Sequence, residues 1–348
     1  MIAIFVPIHF LRLGFDLRAV FIFLMVQWFF FSLFVPIAAK LISKIGIKEV
    51  ILIRTPLFIV SLLLLGILDR SPLLQEYFLL IAVLLGISLV MYTLSISSLF
   101  AEFMHKKRQS SETGKFIALP QIGAIIGPVL GGLLALFFGF DALFIISSVL
   151  LFLSIIPIGS LKHKIDHPKF DYKKFILFFK TKKKIFFFIN LYGIKGFVMF
   201  IILPIAVYFV NYNVLILGII MSLSGFVSVT TALVYGRYMD AKKMNYVRLG
   251  AVLSSLFFMI LSMITGTNVL LYVSIFSGAI LVLLDLPFET ELFMEAKKEN
   301  SILSFLAFKE MSFLLGRTLF FIVIIYAYTN INISFLIGSA SSLLISLF

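Results

Sequence analysis

The chain has 348 residues, of which 62% are hydrophobic and only 13% are charged. This composition leaves too little polar surface for a water-soluble globule of that size, so we predict an all-α integral membrane protein. The absence of cysteine excludes disulfide scaffolds, thiolate metal sites and cysteine nucleophiles, and only four histidines, at positions 9, 105, 163 and 167, do not favour a metal centre. We therefore expect neither a metal nor a cofactor.

Apolar runs between charged or turn-forming residues predict the membrane spans. A helix needs about 20 apolar residues to cross the hydrocarbon core of a bilayer. Eleven runs are predicted to be complete spans, and Met1–Phe10, which reaches only about 15 Å as a helix, is predicted to be the end of a partial first helix. The complete spans are residues 20–39, 50–68, 77–100, 117–138, 141–160, 185–210, 214–235, 248–266, 269–290, 302–328 and 331–348.

The distribution of Lys and Arg predicts the topology. With the partial helix counted as the first, most of the 29 cations lie in the loops after even-numbered helices, and Lys309 is counted among them. Arg54, Lys195 and Arg317 lie inside spans. The positive-inside rule makes the basic loops cytoplasmic. The net charge of +13 then indicates orientation and attraction to anionic lipid, and no nucleic-acid partner is needed to explain it.

Residues 161–184 form the longest mainly polar stretch and divide the chain into two halves. Residues 1–160 and 185–348 would each hold six helices, counting the partial one. The basic stretch is predicted to be a cytoplasmic linker, with a plain tether preferred over an amphipathic helix around Phe175–Phe179.

The two halves contain related turns. Ala39–Lys48 follows the second helix and Gly236–Lys243 follows the eighth, at an offset of 197 residues. Two parallel six-helix repeats joined by a basic loop form a transporter architecture, in which the substrate lies near the middle of the membrane between the halves.

The second of these turns carries a family resemblance. It reads Gly236-Arg237-Tyr-Met-Asp240-Ala-Lys242-Lys243 and resembles the G-x-x-x-D-(R/K)-x-G-(R/K) loop of the major facilitator superfamily. The resemblance covers essentially the whole chain. It implies that the Gly permits close helix contact and that the Asp and the cations form cytoplasmic contacts that hold one conformer.

The first-half turn is a degraded copy of this gating motif. It has Ala39 at the Gly position and Ser43 at the Asp position, followed by Lys44 and Gly46. The resemblance therefore predicts a weaker gate in this half.

The fifth helix carries a second signature, Gly123-Ala-Ile-Ile-Gly127-Pro128-Val-Leu-Gly131-Gly132, which matches the family pattern G-x-x-x-G-P-x-x-G-G. Glycines at four-residue spacing line one helix face and let a neighbouring backbone approach, and the proline favours a kink. In the family this pattern is associated with exporters and antiporters. A plain packing face is the alternative.

Two other motifs are absent from the sequence. The fourth helix has no Arg between Tyr77 and Glu102, so the proton coupling that the family associates with that residue does not carry over. No G-x-x-x-x-G-K-[ST] loop is present, which excludes ATP hydrolysis by this chain.

Ionisable residues inside spans are the candidate substrate or coupling sites, because each one costs about 2.5–3.5 kcal/mol on insertion scales. Lys195 is predicted to lie near mid-membrane, where it binds an anion, supplies a movable charge or pairs with a carboxylate. Asp285 and Glu289 share one helix face as proton or cation acceptors or as gate partners. Glu310 and Arg317 lie two turns apart and are predicted to join a structural network.

Three further residues are weaker candidates. Gln27, Trp28 and Tyr92 are candidates to line the cavity, although packing roles are as common for such residues. Arg54 is predicted to extend towards the lipid headgroups.

The preferred function is secondary active transport of a small, partly hydrophobic solute by alternating access, with export or antiport driven by a proton or sodium gradient. The protein is expected to be a monomeric, multi-pass protein of the cell membrane in contact with lipid, and no enzyme. One alternative is a membrane enzyme for lipid-linked substrates in which Asp285 and Glu289 hold a divalent cation. Another is a non-transporting relic with a shortened first helix.

Overall fold

The computed structural model describes residues 4–68, 75–104, 108–160, 168–241, 246–326 and 330–348. Helices satisfy their own backbone hydrogen bonds, as a lipid environment requires, and they are the only regular elements in these ranges. They are α1 Phe5–Arg12, α2 Leu17–Leu33, α3 Val35–Ile45, α4 Ile47–Gly66, α5 Phe78–Phe103, α6 Gln109–Phe137, α7 Gly139–Ser160, α8 Tyr172–Thr181, α9 Lys183–Phe197, α10 Leu203–Asn211, α11 Val214–Ala241, α12 Val247–Ile264, α13 Val269–Ile275, α14 Ser277–Lys298, α15 Ile302–Tyr326 and α16 Ile331–Ile345.

The predicted all-α membrane architecture is confirmed. Every predicted span contains at least one helix. Within the described ranges, eight helices or continuous helix runs are long and apolar enough to cross a bilayer, and the bent pair α2–α3 makes a ninth. The helix α15 spans 25 residues but contains three charged side chains, and α16 is apolar but only 15 residues long.

Prolines explain two interruptions in the spans. The chain bends by 46° between α2 and α3, where Pro36 occupies the first turn of α3. A π-helical turn, Val198–Ile202, joins α9 to α10 just before Pro204. Proline has no N–H to donate within a helix, so the backbone adjusts at both places.

The linker contains a packed helix rather than a plain tether. Asp171 caps the N-terminus of α8 by accepting hydrogen bonds from two backbone N–H groups. Phe175 and Phe178 are buried, and the Phe178 ring lies 5.6 Å from the Phe305 ring of α15. The preferred prediction of a tether is therefore wrong for this part of the linker, while residues 161–167 lie outside the described residues.

Two helix pairs make the most extensive contacts between the halves, and we call these contacts seams. The helix α6 packs along α11, and α2 packs against α15. Smaller contacts join α6 to α14 and α5 to α15.

Candidate functional site

Lys195 forms a buried ion pair between two helices. Its side chain, on α9, is 0% exposed, and its ammonium group pairs with the carboxylate of Asp285 on α14. The ammonium also lies 5.5 Å from the ring centre of Tyr192. Of the roles predicted for Lys195, pairing with a carboxylate from another helix is the one seen in this conformer.

Lys309 forms a second buried ion pair one turn away along α14. Its ammonium lies 2.6 Å from Glu289 and 3.6 Å from Glu310. The residue is 4% exposed and lies two turns inside α15, which begins at Ile302. Counting Lys309 among the loop cations was therefore wrong.

The acidic face of α14 is thus shared between two lysines. Asp285 meets Lys195 from α9, and Glu289 meets Lys309 from α15. In the described residues, no three His, Cys, Asp or Glu side chains are grouped so that they could hold a metal ion. Electrostatically, this arrangement joins three helices of one half through alternating charges.

Arg317 is surrounded by aromatic rings and forms no ion pair within 4 Å among the described residues, although the Glu310 carboxylate attracts it from farther away. Its guanidinium lies 4.2 Å from the ring centre of Phe313 and 4.4 Å from that of Trp28. The Phe197 and Phe31 ring centres lie 5.2 Å and 5.3 Å away. A guanidinium gains energy over the negative face of such rings. We call these four rings the Arg317 cage.

Two glycines let α9 and α15 approach closely beside the Arg317 cage. A Cβ at Gly316 would lie 2.5 Å from the carbonyl oxygen of Asn190. A Cβ at Gly193 would lie 2.7 Å from the Phe313 ring. The backbone N–H of Gly316 also donates to Asn190 Oδ1 at 2.6 Å, which fixes the register of the two helices.

Arg54 is stacked inside the N-terminal half rather than extended to the headgroups. It is 7% exposed, and its guanidinium lies 4.7 Å from the Phe58 ring centre and 4.6 Å from that of Tyr92. Its Nε donates to the Ser88 carbonyl at 3.4 Å. Tyr92 therefore supports a buried cation.

Gln27 lies at the contact between α2 and α5. The residue is buried, and an added Cβ at Gly86 would collide with its backbone carbonyl. Gln27, Tyr92 and Trp28 are not among the residues that line the cavity described next.

A cavity of about 200 Å³ lies between the halves. Its wall is mainly apolar, with hydroxyl groups from α11 and α14 and one amide from α6. The Ser224 and Ser277 hydroxyls in this wall are 2.8 Å apart. The lining residues are Ile4, Gln121, Pro128, Met199, Phe200, Pro204, Met221, Ser224, Gly225, Ser228, Ser277, Gly278 and Leu281.

The cavity and the Lys195–Asp285 pair occupy neighbouring levels of the same two helices. Met199 follows Lys195 by four residues on the α9 run, and Leu281 precedes Asp285 by four on α14. Four residues correspond to about 6 Å of helix rise. The ion pair therefore lies about one helical turn from the cavity wall.

The fifth-helix glycines pack differently from the prediction. Gly123 has nothing within 4 Å of an added Cβ, and Gly131 faces the ring of Phe5. Close backbone contact with α11 occurs instead at Gly132, where a Cβ would lie 3.0 Å from the Val214 carbonyl oxygen. Pro128 contributes as well, because its carbonyl faces Gly218 of α11. The packing face exists, but Gly123 is not part of it.

The last turns of α11 connect the halves at the end of the bundle where the Lys- and Arg-rich loops lie, which we call the basic end. The Asp240 carboxylate accepts hydrogen bonds from the backbone N–H groups of Ser110 and Ser111 at 3.0 and 2.9 Å. A Cβ at Gly236 would lie 2.9 Å from the Ser110 carbonyl oxygen. Arg237 is exposed. Lys242 and Lys243 lie outside the described residues.

The first-half turn makes a different contact. Ser43 Oγ accepts a hydrogen bond from the backbone N–H of Phe170 at 3.3 Å. Lys44 lies in the last turn of α3, and Gly46 adopts a positive φ of 100° between α3 and α4. This turn therefore holds the segment that precedes α8.

The sequence signatures and the helix arrangement agree with a comparison to known families. The model of the Major Facilitator Superfamily matches residues 1–290. The chain belongs to the major facilitator superfamily. No curated protein sequence matches the chain significantly.

Solved transporters of the superfamily share the fold. The human organic anion transporter TETRAN superposes with a TM-score of 0.63 at 15% identity, covering 98% of this chain and 88% of that protein. A variant of the E. coli fucose:proton symporter FucP gives a TM-score of 0.67 at 12% identity, covering 99% of this chain and 94% of that protein. At these identities the likeness establishes the fold of a superfamily member and no more.

Sequence reasoning missed two parts of this superfamily member's site. Lys309 was assigned to a loop, although it follows the start of a long apolar run by seven residues and precedes Glu310. The rings around Arg317 come from three helices, and no spacing along the chain connects Trp28 with Phe197 and Phe313.

Proposed function

We propose that the chain is a secondary active transporter that exports a small amphipathic solute by alternating access, in exchange for a proton or a sodium ion. The half-open cavity lined by residues of both halves is the observation that carries this proposal. Helices of both halves supply its wall, so a movement of one half against the other changes which side the cavity opens to.

The cavity wall supports a substrate of this kind. At about 200 Å³ the cavity is smaller than the roughly 300–1,000 Å³ typical of drug-sized ligands. Its methionine, proline and phenylalanine side chains suit an apolar body. Gln121 and the Ser224–Ser277 pair supply a few hydrogen-bonding groups on opposite sides.

The Lys195–Asp285 pair supplies a route for coupling. The pair lies about one turn from the cavity and holds α9 against α14. An ion that binds the Asp285 carboxylate would release Lys195 and loosen this contact. The structural likeness to FucP, a fucose:proton symporter, supports a proton as one candidate, while the missing fourth-helix Arg leaves sodium as the other.

The basic end is proposed to face the cytoplasm in the cell membrane, with the protein acting as a monomer. The positive-inside rule supports this orientation. The G-x-x-x-G-P-x-x-G-G pattern of α6 supports export, because it resembles the family pattern that is associated with exporters and antiporters.

The test begins with a thermal stability screen of the purified protein against a solute library. A ligand of the native state raises the melting temperature by mass action. Hits are then followed in proteoliposomes under imposed proton or sodium gradients. We expect gradient-driven movement of at least one hit, and loss of its stabilising effect in Lys195→Ala.

Lys298→Ala is the matched control, because Lys298 is 65% exposed at the end of α14. The hits found with the wild type should raise the melting temperature of Lys298→Ala by the same amount. If all hits stabilise Lys195→Ala undiminished, Lys195 lies outside the site. If no hit moves under any gradient, the transport proposal fails.

A further inference from the structure

Two nitrogens of the Arg317 guanidinium are buried without a hydrogen-bond acceptor. Nε and Nη1 have no hydrogen-bond partner among the residues that the structure describes. A guanidinium carries five N–H donors, and buried donors are almost always satisfied. The Glu310 carboxylate, seven residues earlier on α15, lies 3.6 Å from Lys309 and attracts the Arg317 guanidinium without forming an ion pair with it.

The Arg317 cage is assembled from both halves of the molecule. Trp28 and Phe31 belong to α2, whereas Phe197 and Phe313 belong to α9 and α15, next to Arg317 itself. Separation of α2 from α15 would remove two of the four rings. The N–H groups would then face the space between the halves, with the Phe197 and Phe313 rings still beside them.

We propose that Arg317 binds a small organic anion, a monocarboxylate with an apolar body, in the conformer in which α2 and α15 are apart. The planar N–H fork matches a carboxylate in a bidentate geometry. The two remaining rings cover the apolar body. In the conformer seen here, the ring faces of Trp28 and Phe31 take the place of the anion. The inference rests on the proposed alternation between conformers and adds the substrate class.

Trp28 makes this site directly observable. It is the only tryptophan of the chain, so intrinsic fluorescence reports on the ring that lies 4.4 Å from the Arg317 guanidinium. The experiment titrates the purified full-length protein with sodium butyrate at constant chloride concentration. Butyramide, which has the same apolar body and no charge, is the matched ligand control. We expect a saturable change in Trp28 emission with butyrate and none with butyramide.

Variants assign the response to one cation. Arg317→Gln should raise the butyrate concentration at half-saturation at least tenfold. Arg317→Lys keeps the charge but loses the planar fork of N–H groups, and it should raise this concentration severalfold. It serves as the test if Arg317→Gln does not fold. Arg54→Gln is the control, because Arg54 is likewise buried between two aromatic rings but lies within one half. It should leave the butyrate response unchanged.

Three results would overturn the inference. They are the absence of a saturable butyrate response in the wild type, an equal response to butyramide, and unchanged half-saturation in both Arg317 variants. The titration needs no gradient, so its outcome is separate from that of the proteoliposome assay. Butyrate binding without transport of any solute would contradict only the proposed function.

Discussion

The carboxylate of Asp240 at the end of α11 accepts a hydrogen bond from the backbone N–H of Ser111, 2.9 Å away in the first turn of α6. Arg108, at the N-cap position of α6, makes no side-chain cap. Asp240 therefore provides the acceptor that a capping residue normally supplies, and it provides this acceptor from the other half of the protein. The cap exists only while the halves are in contact at the basic end.

Removing this cap should open the basic end more often. A helix cap is worth about 1 kcal/mol, which corresponds to about a fivefold change in population. The chain has no cysteine, so Thr113→Cys introduces a single thiol at a buried position of α6. We expect Asp240→Ala, which removes both acceptor oxygens, to increase the labelling rate of this thiol by a maleimide about fivefold.

Asp16→Ala is the control for this experiment, because Asp16 caps α2 within one half by accepting from the Ala19 N–H at 2.7 Å. It should leave the labelling rate unchanged. Equal rates for Asp240→Ala and Asp16→Ala would mean that the cap does not hold the halves together.

Glycine substitutions should separate the packed positions of the α6–α11 seam from the open one. A methyl group at Gly218 would collide with the Pro128 carbonyl, so Gly218→Ala should destabilise the protein by about 1–3 kcal/mol through overpacking. Gly123 has nothing within 4 Å, so Gly123→Ala should be neutral or slightly stabilising. Thermal unfolding in detergent measures both. A lower melting temperature for Gly123→Ala than for Gly218→Ala would contradict the packing described here.

The sequence was sufficient to predict the membrane spans, since long apolar runs are dictated by bilayer thickness and every predicted span contains a helix. The interruptions within the spans were harder to predict from the sequence. Pro36 and Pro204 mark two of them, but a proline such as Pro128 can also lie inside one helix, so the residue alone does not decide between a bend and a continuous span.

Most members of the buried charge cluster could be named from the sequence, but their pairings could not. Periodicity placed Asp285 and Glu289 on one face of α14, because they are four residues apart. Which cation meets each carboxylate depends on how three helices pack. That arrangement brings together Lys195 and Asp285, which are separated by 90 residues. Lys309 already lay inside the predicted span 302–328, so its burial was accessible from the sequence, although the residue was counted among the loop cations.

Breaking the Lys195–Asp285 pair should be costly, because one variant leaves a buried charge alone. Removing one partner of a buried pair destabilises by about 3–5 kcal/mol. We expect Lys195→Met to lower the melting temperature strongly, and the double variant Lys195→Met/Asp285→Asn to recover part of the loss. Lys298→Met is the matched control, since Lys298 pairs with Glu295 while 65% exposed, and it should change stability by less than about 1 kcal/mol. If the single Lys195 variant is as mild as Lys298→Met, the pair is not a buried one.

The Glu289–Lys309–Glu310 group should respond asymmetrically to charge removal. Lys309 is the one cation within 4 Å of both carboxylates among the described residues. Lys309→Met leaves two buried carboxylates without a partner, whereas Glu289→Gln or Glu310→Gln leaves Lys309 with one. We therefore expect the Lys309 variant to lower the melting temperature more than either glutamine variant. Because the ammonium is closer to Glu289 than to Glu310, Glu289→Gln should be the worse of the two. An equal fall in melting temperature in all three variants would show that the two carboxylates do not depend on Lys309 as a shared cation.

The orientation of the bundle is testable with two single cysteines in the cysteine-free chain. Thr181 is exposed at the end of α8, at the basic end, and Thr267 is exposed in the turn between α12 and α13, at the opposite end. The positive-inside rule places the first in the cytoplasm and the second outside the cell. A membrane-impermeant maleimide should therefore label Thr267→Cys in intact cells, and it should label Thr181→Cys only after permeabilisation. Labelling of Thr181→Cys in intact cells would place the basic end outside and reverse the proposed direction of export.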